Sequence, residues 1–256
     1  MSYIEEMQKS GMEALEGMRL DKLLANSGFG SRTEVKQLLK NGAVTVNDVR
    51  QKEAKFQVDA AQDSVEVYGE AVVYEEFTYL MMNKPPGVVS ATEDNWDQTV
   101  IDILDERDQL KKLFPVGRLD KDTEGLLLIS NNGVLAHNLL SPKKHVDKTY
   151  FAKIEGVVTE ADIAIFRDGV TISDNYTCKS AELVILQIEN GFSDVEVTIQ
   201  EGKFHQVKRM FEAVDKQVVY LKRLRMGTLH LDETLGLGEY RPLTKDELAA
   251  LTTFEK

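Results

Sequence analysis

The strongest constraint on the fold lies in the second half of the chain. Candidate strands recur at residues 125–130, 148–155, 181–188, 194–200 and 218–230, several of them long and β-branched, with few helices between them. Parallel neighbours need long crossover connections, so such a succession of strands favours antiparallel pairing over a doubly wound sheet. Candidate helices fall near 99–105, 132–140, 159–167, 205–214 and 244–251. The pattern predicts an α+β chain with a mainly antiparallel mixed sheet, with no internal repeat and no low-complexity tract.

A smaller module precedes it. Leu20, Leu23 and Leu24 recur at helical spacing, and Gly28 and Gly30 end that helix. Ser31 caps a second helix, with Glu34 three residues on as its capping-box partner and Val35, Leu38 and Leu39 as its apolar stripe. Asn41-Gly42 stops this helix, and Val44 and Val46 begin a small strand set that ends at Val65-Glu66-Val67. Asp21 is expected opposite the apolar stripe of the first helix, where a carboxylate suits the helix dipole and should tolerate replacement by Asn. The stretch GEAVVYEEF serves as strand end and linker, followed by the buried strand Tyr79–Met82 and the Pro85-Pro86-Gly87 break. The expected division is a leader helix or frayed arm over 1–17, a module over 18–75 and a large domain over 76–256. Met18 would serve as a second start.

Composition narrows the function classes. The single cysteine, Cys178, rules out an intramolecular disulfide, and four dispersed histidines make no metal signature. No apolar run approaches the roughly 20 residues of a membrane span, and the N-terminus lacks a secretory layout, so a cytoplasmic protein is expected. The net charge of -12 argues against a nucleic-acid partner when taken alone. Its distribution argues otherwise. From Arg19 to Lys55 there are eight basic residues against four acidic ones. Further basic clusters stand at Lys143, Lys144, Lys148 and Lys153, at Lys203, Lys208 and Arg209, and at Lys222, Arg223 and Arg225.

The tetrapeptide RLDK occurs at 19–22, on the first helix, and again at 118–121. The second copy lies between Gly117 and Gly125, ahead of the apolar run Leu126–Ile129, in a loop anchored to a rigid strand, where catalytic side chains are commonly held. Alone it would be a solvated acidic turn. It stands, however, in order with Asn83-Lys84-Pro85-Pro86-Gly87, with Lys148-Thr149-Tyr150 and with the run EGKFHQVKRM over 201–210.

The pattern RLDKLLANSGFGSRTEVKQLLKNGAVTVN resembles the S4 RNA-binding domain over about residues 18–70, with Asp48 where a glycine usually follows VN. That resemblance implies that Arg32, Lys36 and Lys40 touch phosphates on a basic surface that includes Arg19. The four ordered motifs resemble the pseudouridine synthases, specifically the branch acting on small-subunit (16S) ribosomal RNA, over about 78–250. The resemblance implies isomerisation of a uridine by the catalytic carboxylate Asp120, paired with Lys208 and faced by Tyr150 against the uracil. Arg118 would occupy the space vacated when the base flips, or else be a surface arginine paired with Asp122. Arg209 would face phosphate, Lys84–Gly87 would shape the pocket floor, and Lys143 and Lys144 would bind the RNA backbone. Isomerisation neither gains nor loses atoms, so no cofactor and no metal are expected. The implied partner is ribosomal RNA or a small-subunit assembly intermediate, bound by a monomer with no obligate protein partner. Competing readings are a large-subunit (23S) RNA synthase with the same motifs, a non-catalytic ribosome-assembly factor, and a glycosidase of free nucleosides.

Overall fold

The computed structural model describes residues 17–141 and 143–255, so the expected leader element lies, Gly17 apart, outside the described residues. They fall into two units, one running to Phe77 and taking in Leu104–Leu113, the other made of Thr78–Ile103 and Phe114–Lys256.

In the first unit β1 (Met18–Arg19) leads into α1 (Leu20–Asn26) and α2 (Arg32–Lys40). Four strands, β2 (Val44–Val46), β3 (Val49–Gln51), β5 (Val65–Val67) and β6 (Glu70–Ala71), form an antiparallel sheet in the order β3-β2-β5-β6, while β4 (Gln57–Val58) pairs with β1. The capping box is present: Ser31 Oγ accepts from the Glu34 N–H at 3.4 Å, and the Glu34 carboxylate accepts from the Ser31 N–H at 2.7 Å. Leu20, Leu23, Leu24, Val35 and Leu39 close over Val44, Val46, Val65 and Val67 as one apolar core. Asn47 and Asp48 take φ of 50° and 64°, so the two-residue turn between β2 and β3 forms without a glycine, as short polar side chains allow. Leu104–Leu113, with the short helix α3 (Glu106–Gln109), packs with this unit although it lies well beyond the linker in sequence. Arg107 pairs with Glu70 at 2.7 Å and lies 4.6 Å over the Phe29 ring.

One expectation fails here. Asp21 does not face solvent but is 2% exposed. Its two oxygens accept from Arg19 Nε and Nη2 at 3.0 and 2.7 Å, which compensates the burial of its charge.

The second unit is built on one large sheet in the order β13-β14-β10-β15-β9-β7-β17. Its strands are β7 (Tyr79–Lys84), β9 (Glu124–Ser130), β10 (Lys148–Glu155), β13 (Glu182–Glu189), β14 (Phe192–Ile199), β15 (Gln217–Met226) and β17 (Tyr240–Pro242), with β8 (Phe114–Val116) and β16 (Leu229–His230) paired at the side. Every strand pair in it is antiparallel except β15 with β9. Leu126–Ile129 are buried on both faces of β9, which marks it as the central strand. Leu126 and Leu128 pack with Met81, Val116 and Met226 under α4 (Gly133–Leu140) and α7 (Lys245–Thr252). Two further helices, α5 (Glu160–Asp168) and α6 (Gln206–Glu212), and the ribbon β11 (Thr171–Ile172) with β12 (Tyr176–Thr177), complete the unit.

The helix expected over 99–105 is absent. Thr99 Oγ1 accepts from the N–H groups of Ile101 and Asp102, and Asp102 returns the bond to the Thr99 N–H at 2.8 Å. These side chains satisfy the backbone in turns, so a helix starts only at Glu106. The single strand expected over 218–230 is two, because Gly227, at φ +59°, reverses the chain between β15 and β16.

Candidate active site

Asp120 lies on the loop between β8 and β9. The loop can close because Gly125 has no side chain: a Cβ there would collide with the Arg223 carbonyl, where β9 lies against β15. Three residues from the NKPPGVVS run hold the loop from below. Ser90 Oγ donates to the Leu119 carbonyl at 2.9 Å and accepts from its N–H at 3.1 Å, while the Gly87 N–H donates to the Lys121 carbonyl at 2.7 Å. Lys84, fully buried, donates to the carbonyls of Pro85, Lys121 and Thr123 at 3.0, 3.3 and 2.9 Å. Burial pulls its pKa down to about 8, against the opposing pull of Asp122, Asp120 and Glu124.

Lys208, in the first turn of α6, reaches the loop from the other side. Its Nζ stands 3.3 Å from Asp120 and 2.6 Å from Asp122. Burial alone would lower the lysine pKa, but the hydrogen bond to Asp122 and the charges of both aspartates outweigh it, so the value is raised. The sequence reading paired Lys208 with Asp120 alone. In the structure it bridges the two carboxylates and is closer to the more exposed one.

His205 caps α6 in the left-handed region, at φ 50° and ψ 34°, with Nε2 3.6 Å from Asp120 Oδ1. Its ring stacks on Phe204 at 3.7 Å between centroids. A buried network fixes this segment. Glu201 accepts from Gln206 Nε2, the Lys179 N–H and the Tyr176 hydroxyl, and Gln206 accepts from the Lys203 N–H.

Asp120, Arg118, Thr123, Tyr150, His205 and Lys208 line one cavity of about 70 Å³. Tyr150 reaches it from β10, where its register partner on β15 is Arg223. Arg118 is exposed at this cavity and has no ion pair among the described residues, since Asp122 is held by Lys208. Glu124 accepts from the Tyr220 hydroxyl at 2.7 Å instead. A larger opening of about 570 Å³ in the first unit, between Phe29, Leu38 and Leu110, gathers no comparable set; its Arg107 is already engaged by Glu70.

The structure divides the remaining expected contacts. Arg32, Lys36 and Lys40 are exposed at spacings of four on α2, hence on one face. Lys143 is exposed in the loop before β10, and Lys144 beside it is half-buried. Two of the expected cations are engaged within the protein. Arg209 does not present a free charge to phosphate: its guanidinium is engaged by Asp174 at 2.7 Å, Ser173 at 3.1 Å and the Phe204 carbonyl at 3.3 Å. Arg19 likewise directs two donors into Asp21. Lys148 and Arg223, counted in basic clusters of the sequence, are 7% and 2% exposed and add nothing to the surface charge. The sequence reading missed His205 beside Asp120, although it lies inside the EGKFHQVKRM run, and gave Lys84 no bonding role.

Comparison with known proteins yields two family matches, RNA pseudouridylate synthase over residues 78–213 and S4 domain over residues 18–65. An uncharacterised RNA pseudouridine synthase of Bacillus subtilis is 53% identical, across 91% of this chain and 98% of its own length. The ribosomal small subunit pseudouridine synthase A of Vibrio cholerae is 42% identical across 91% and 99%. The ribosomal large subunit pseudouridine synthase B of Bacillus subtilis is 37% identical across 91% and 95%. A crystal structure of a pseudouridylate synthase matches with a TM-score of 0.64 and 36% identity, over 91% of this chain and 99% of that one.

Proposed function

This chain belongs to the RNA pseudouridylate synthase family and carries an S4 domain ahead of the synthase domain, and from that membership we propose that it isomerises a uridine of small-subunit ribosomal RNA with Asp120 as the catalytic carboxylate. The observation that carries the assignment is the pairing of Asp120 with Lys208 at 3.3 Å on the wall of the cavity that Tyr150 also lines.

Forming pseudouridine requires the N1–C1′ bond to break and C5 to bond C1′ in its place. Positive charge develops at the sugar as the first bond breaks, and an ionised carboxylate beside it stabilises or captures that charge. The Lys208 ammonium stands 3.3 Å from Asp120 and sets a positive charge beside that carboxylate. Tyr150, 8% exposed, gives the uracil an aromatic wall while it turns. A base stacked within RNA does not reach a cavity of this size, so the target nucleotide flips out. Arg118, exposed and unpaired among the described residues, fills the gap it leaves. Arg32, Lys36 and Lys40 supply sequence-independent phosphate contacts from the S4 domain.

The 42% identity to a small-subunit synthase supports that substrate over the large-subunit alternative, whose named relative stands at 37%. Mapping pseudouridine in both ribosomal RNAs, with and without the protein, separates the two: one small-subunit site should vanish without it. In the purified protein Asp120→Asn should form no pseudouridine while keeping its circular dichroism and its RNA affinity. Full activity in that variant overturns the assignment.

A further inference from the structure

Thr123 is held on both sides of its backbone. Its N–H donates to the Asp120 carbonyl at 3.0 Å, and its own carbonyl accepts from Lys84 at 2.9 Å. The residue is 1% exposed, yet its hydroxyl has no hydrogen-bond partner among the described residues. Buried polar groups are nearly always paired, because an unpaired one forfeits its hydration and gains nothing in return. Three other buried side chains among the described residues, Ser27, Asn83 and Arg223, also carry an unpaired polar atom, but none of them lines the cavity that holds Asp120. Thr123 does. As a β-branched residue on a pinned backbone, 1% exposed, it has few χ1 rotamers open to it, so its hydroxyl has little freedom to seek a partner elsewhere.

We infer that the Thr123 hydroxyl is a substrate contact, bonding a polar group on the uracil or ribose of the flipped nucleotide and fixing it relative to Asp120. The inference rests on the uridine-isomerase reading above and adds a residue to it. The fold bears an unpaired hydroxyl at this position, and the incoming nucleotide supplies its partner.

Thr123→Val tests this, because it keeps the shape and removes only the hydroxyl. The expected result is a melting temperature equal to or above that of the wild type, since an orphan hydroxyl leaves the interior, together with a roughly tenfold fall in kcat/KM. Thr123→Ser should restore most of the activity. In an Asp120→Asn background, where no product forms, Thr123→Val should also weaken binding of the target RNA. Replacing the mapped uridine by 2′-deoxyuridine then locates the contact: a binding difference that vanishes assigns the 2′-hydroxyl, and one that persists assigns the base or the rest of the sugar. A fully active Thr123→Val overturns the inference. So does a Thr123→Val that melts lower and is not rescued by Ser, which would mean that the fold itself uses the hydroxyl. Wild-type protein inactive on every ribosomal RNA would count against the uridine-isomerase reading instead, and the melting comparison would still report whether the hydroxyl is unpaired.

Discussion

Replacing Lys84 by methionine should change the pH dependence of stability in a calculable way. The buried ammonium holds three carbonyls beneath the Asp120 loop, and burial lowers its pKa from 10.5 to about 8. In the unfolded chain the ordinary value returns. Between these two values the unfolded state holds a proton that the folded state has released, so this site's contribution to stability rises with pH across the window. Below it both states are charged, and keeping the charge buried costs about 3 kcal/mol, on the order of 1.4 kcal/mol per pH unit. Lys84→Met removes that cost. It also leaves the Pro85 and Thr123 carbonyls without their Lys84 donor, at about 1–3 kcal/mol each, whereas the Lys121 carbonyl keeps the Gly87 N–H. Near neutral pH the two effects oppose each other, and the variant should lie within a few kcal/mol of the wild type. At about pH 10 most of the burial cost is relieved in the wild type, so the variant should fall behind by roughly 2 kcal/mol more than at about pH 7.5. Urea unfolding followed by far-UV circular dichroism measures this; the one tryptophan, Trp96, is 93% exposed and reports little of the core. Lys148, which burial also lowers to about 8, cancels in the difference between the two proteins. A wild-type-minus-variant difference that stays flat over this range would refute the depressed pKa, and with it the buried cation as the clamp of the loop.

Further outcomes follow from the same geometry. Lys208→Gln removes the cation from both aspartates and should lower kcat on RNA by roughly a hundredfold, with Lys208→Arg recovering part of it in the same assay. Asp122→Asn neutralises a carboxylate on a side chain that is 73% exposed and leaves the Lys208 charge to Asp120, so kcat should stay within about threefold of the wild type. Asp21→Ala should cost the first unit about 1–3 kcal/mol in urea unfolding, and Asp21→Asn less. The hydrogen bond from Arg19 holds the Asp21 pKa below the carboxylate range, so the advantage of the wild type is complete above about pH 4 and is lost as pH falls through the folded value. Changing Arg32, Lys36 and Lys40 together to Gln should reduce the slope of log affinity against log salt by about 2–3 without moving the melting temperature, as titrations across salt would report.

The parts legible in the sequence are those that local chemistry decides. Ser31 and Glu34 announce their capping box, and the leucines of α1 and α2 announce the core they share. Runs holding β-branched residues mark β10, β13 and β14, and the short apolar run Leu126–Ile129 between turn residues marks β9. What stayed hidden depends on partners far along the chain. Nothing near Arg209 signals that Asp174 engages it, and nothing near Lys148 signals that β10 and β15 bury it. The missing helix at 99–105 is an instance of local competition misjudged: Thr99 and Asp102 bond the backbone better in turns than a helix would.

The two RLDK copies show how the same four residues acquire opposite electrostatics. At the start of α1 the chain turns so that Arg19 folds onto Asp21, two residues on, with two short bonds that satisfy a buried carboxylate within the tetrapeptide itself. In the second copy Arg118 makes no ion pair with Asp120 among the described residues, and the neighbours come instead from a remote helix start, the Lys208 ammonium at 3.3 Å and the His205 ring at 3.6 Å. Those contacts are longer, and the Asp120 side chain remains 25% exposed toward the cavity. Asp21, gripped by a bidentate arginine with its side chain 3% exposed, is closed to a substrate, whereas Asp120, held at longer distances by separate groups, keeps its access. Supplying Asp120 with a cation from elsewhere in the chain therefore leaves Arg118 exposed at the cavity with no ion pair among the described residues.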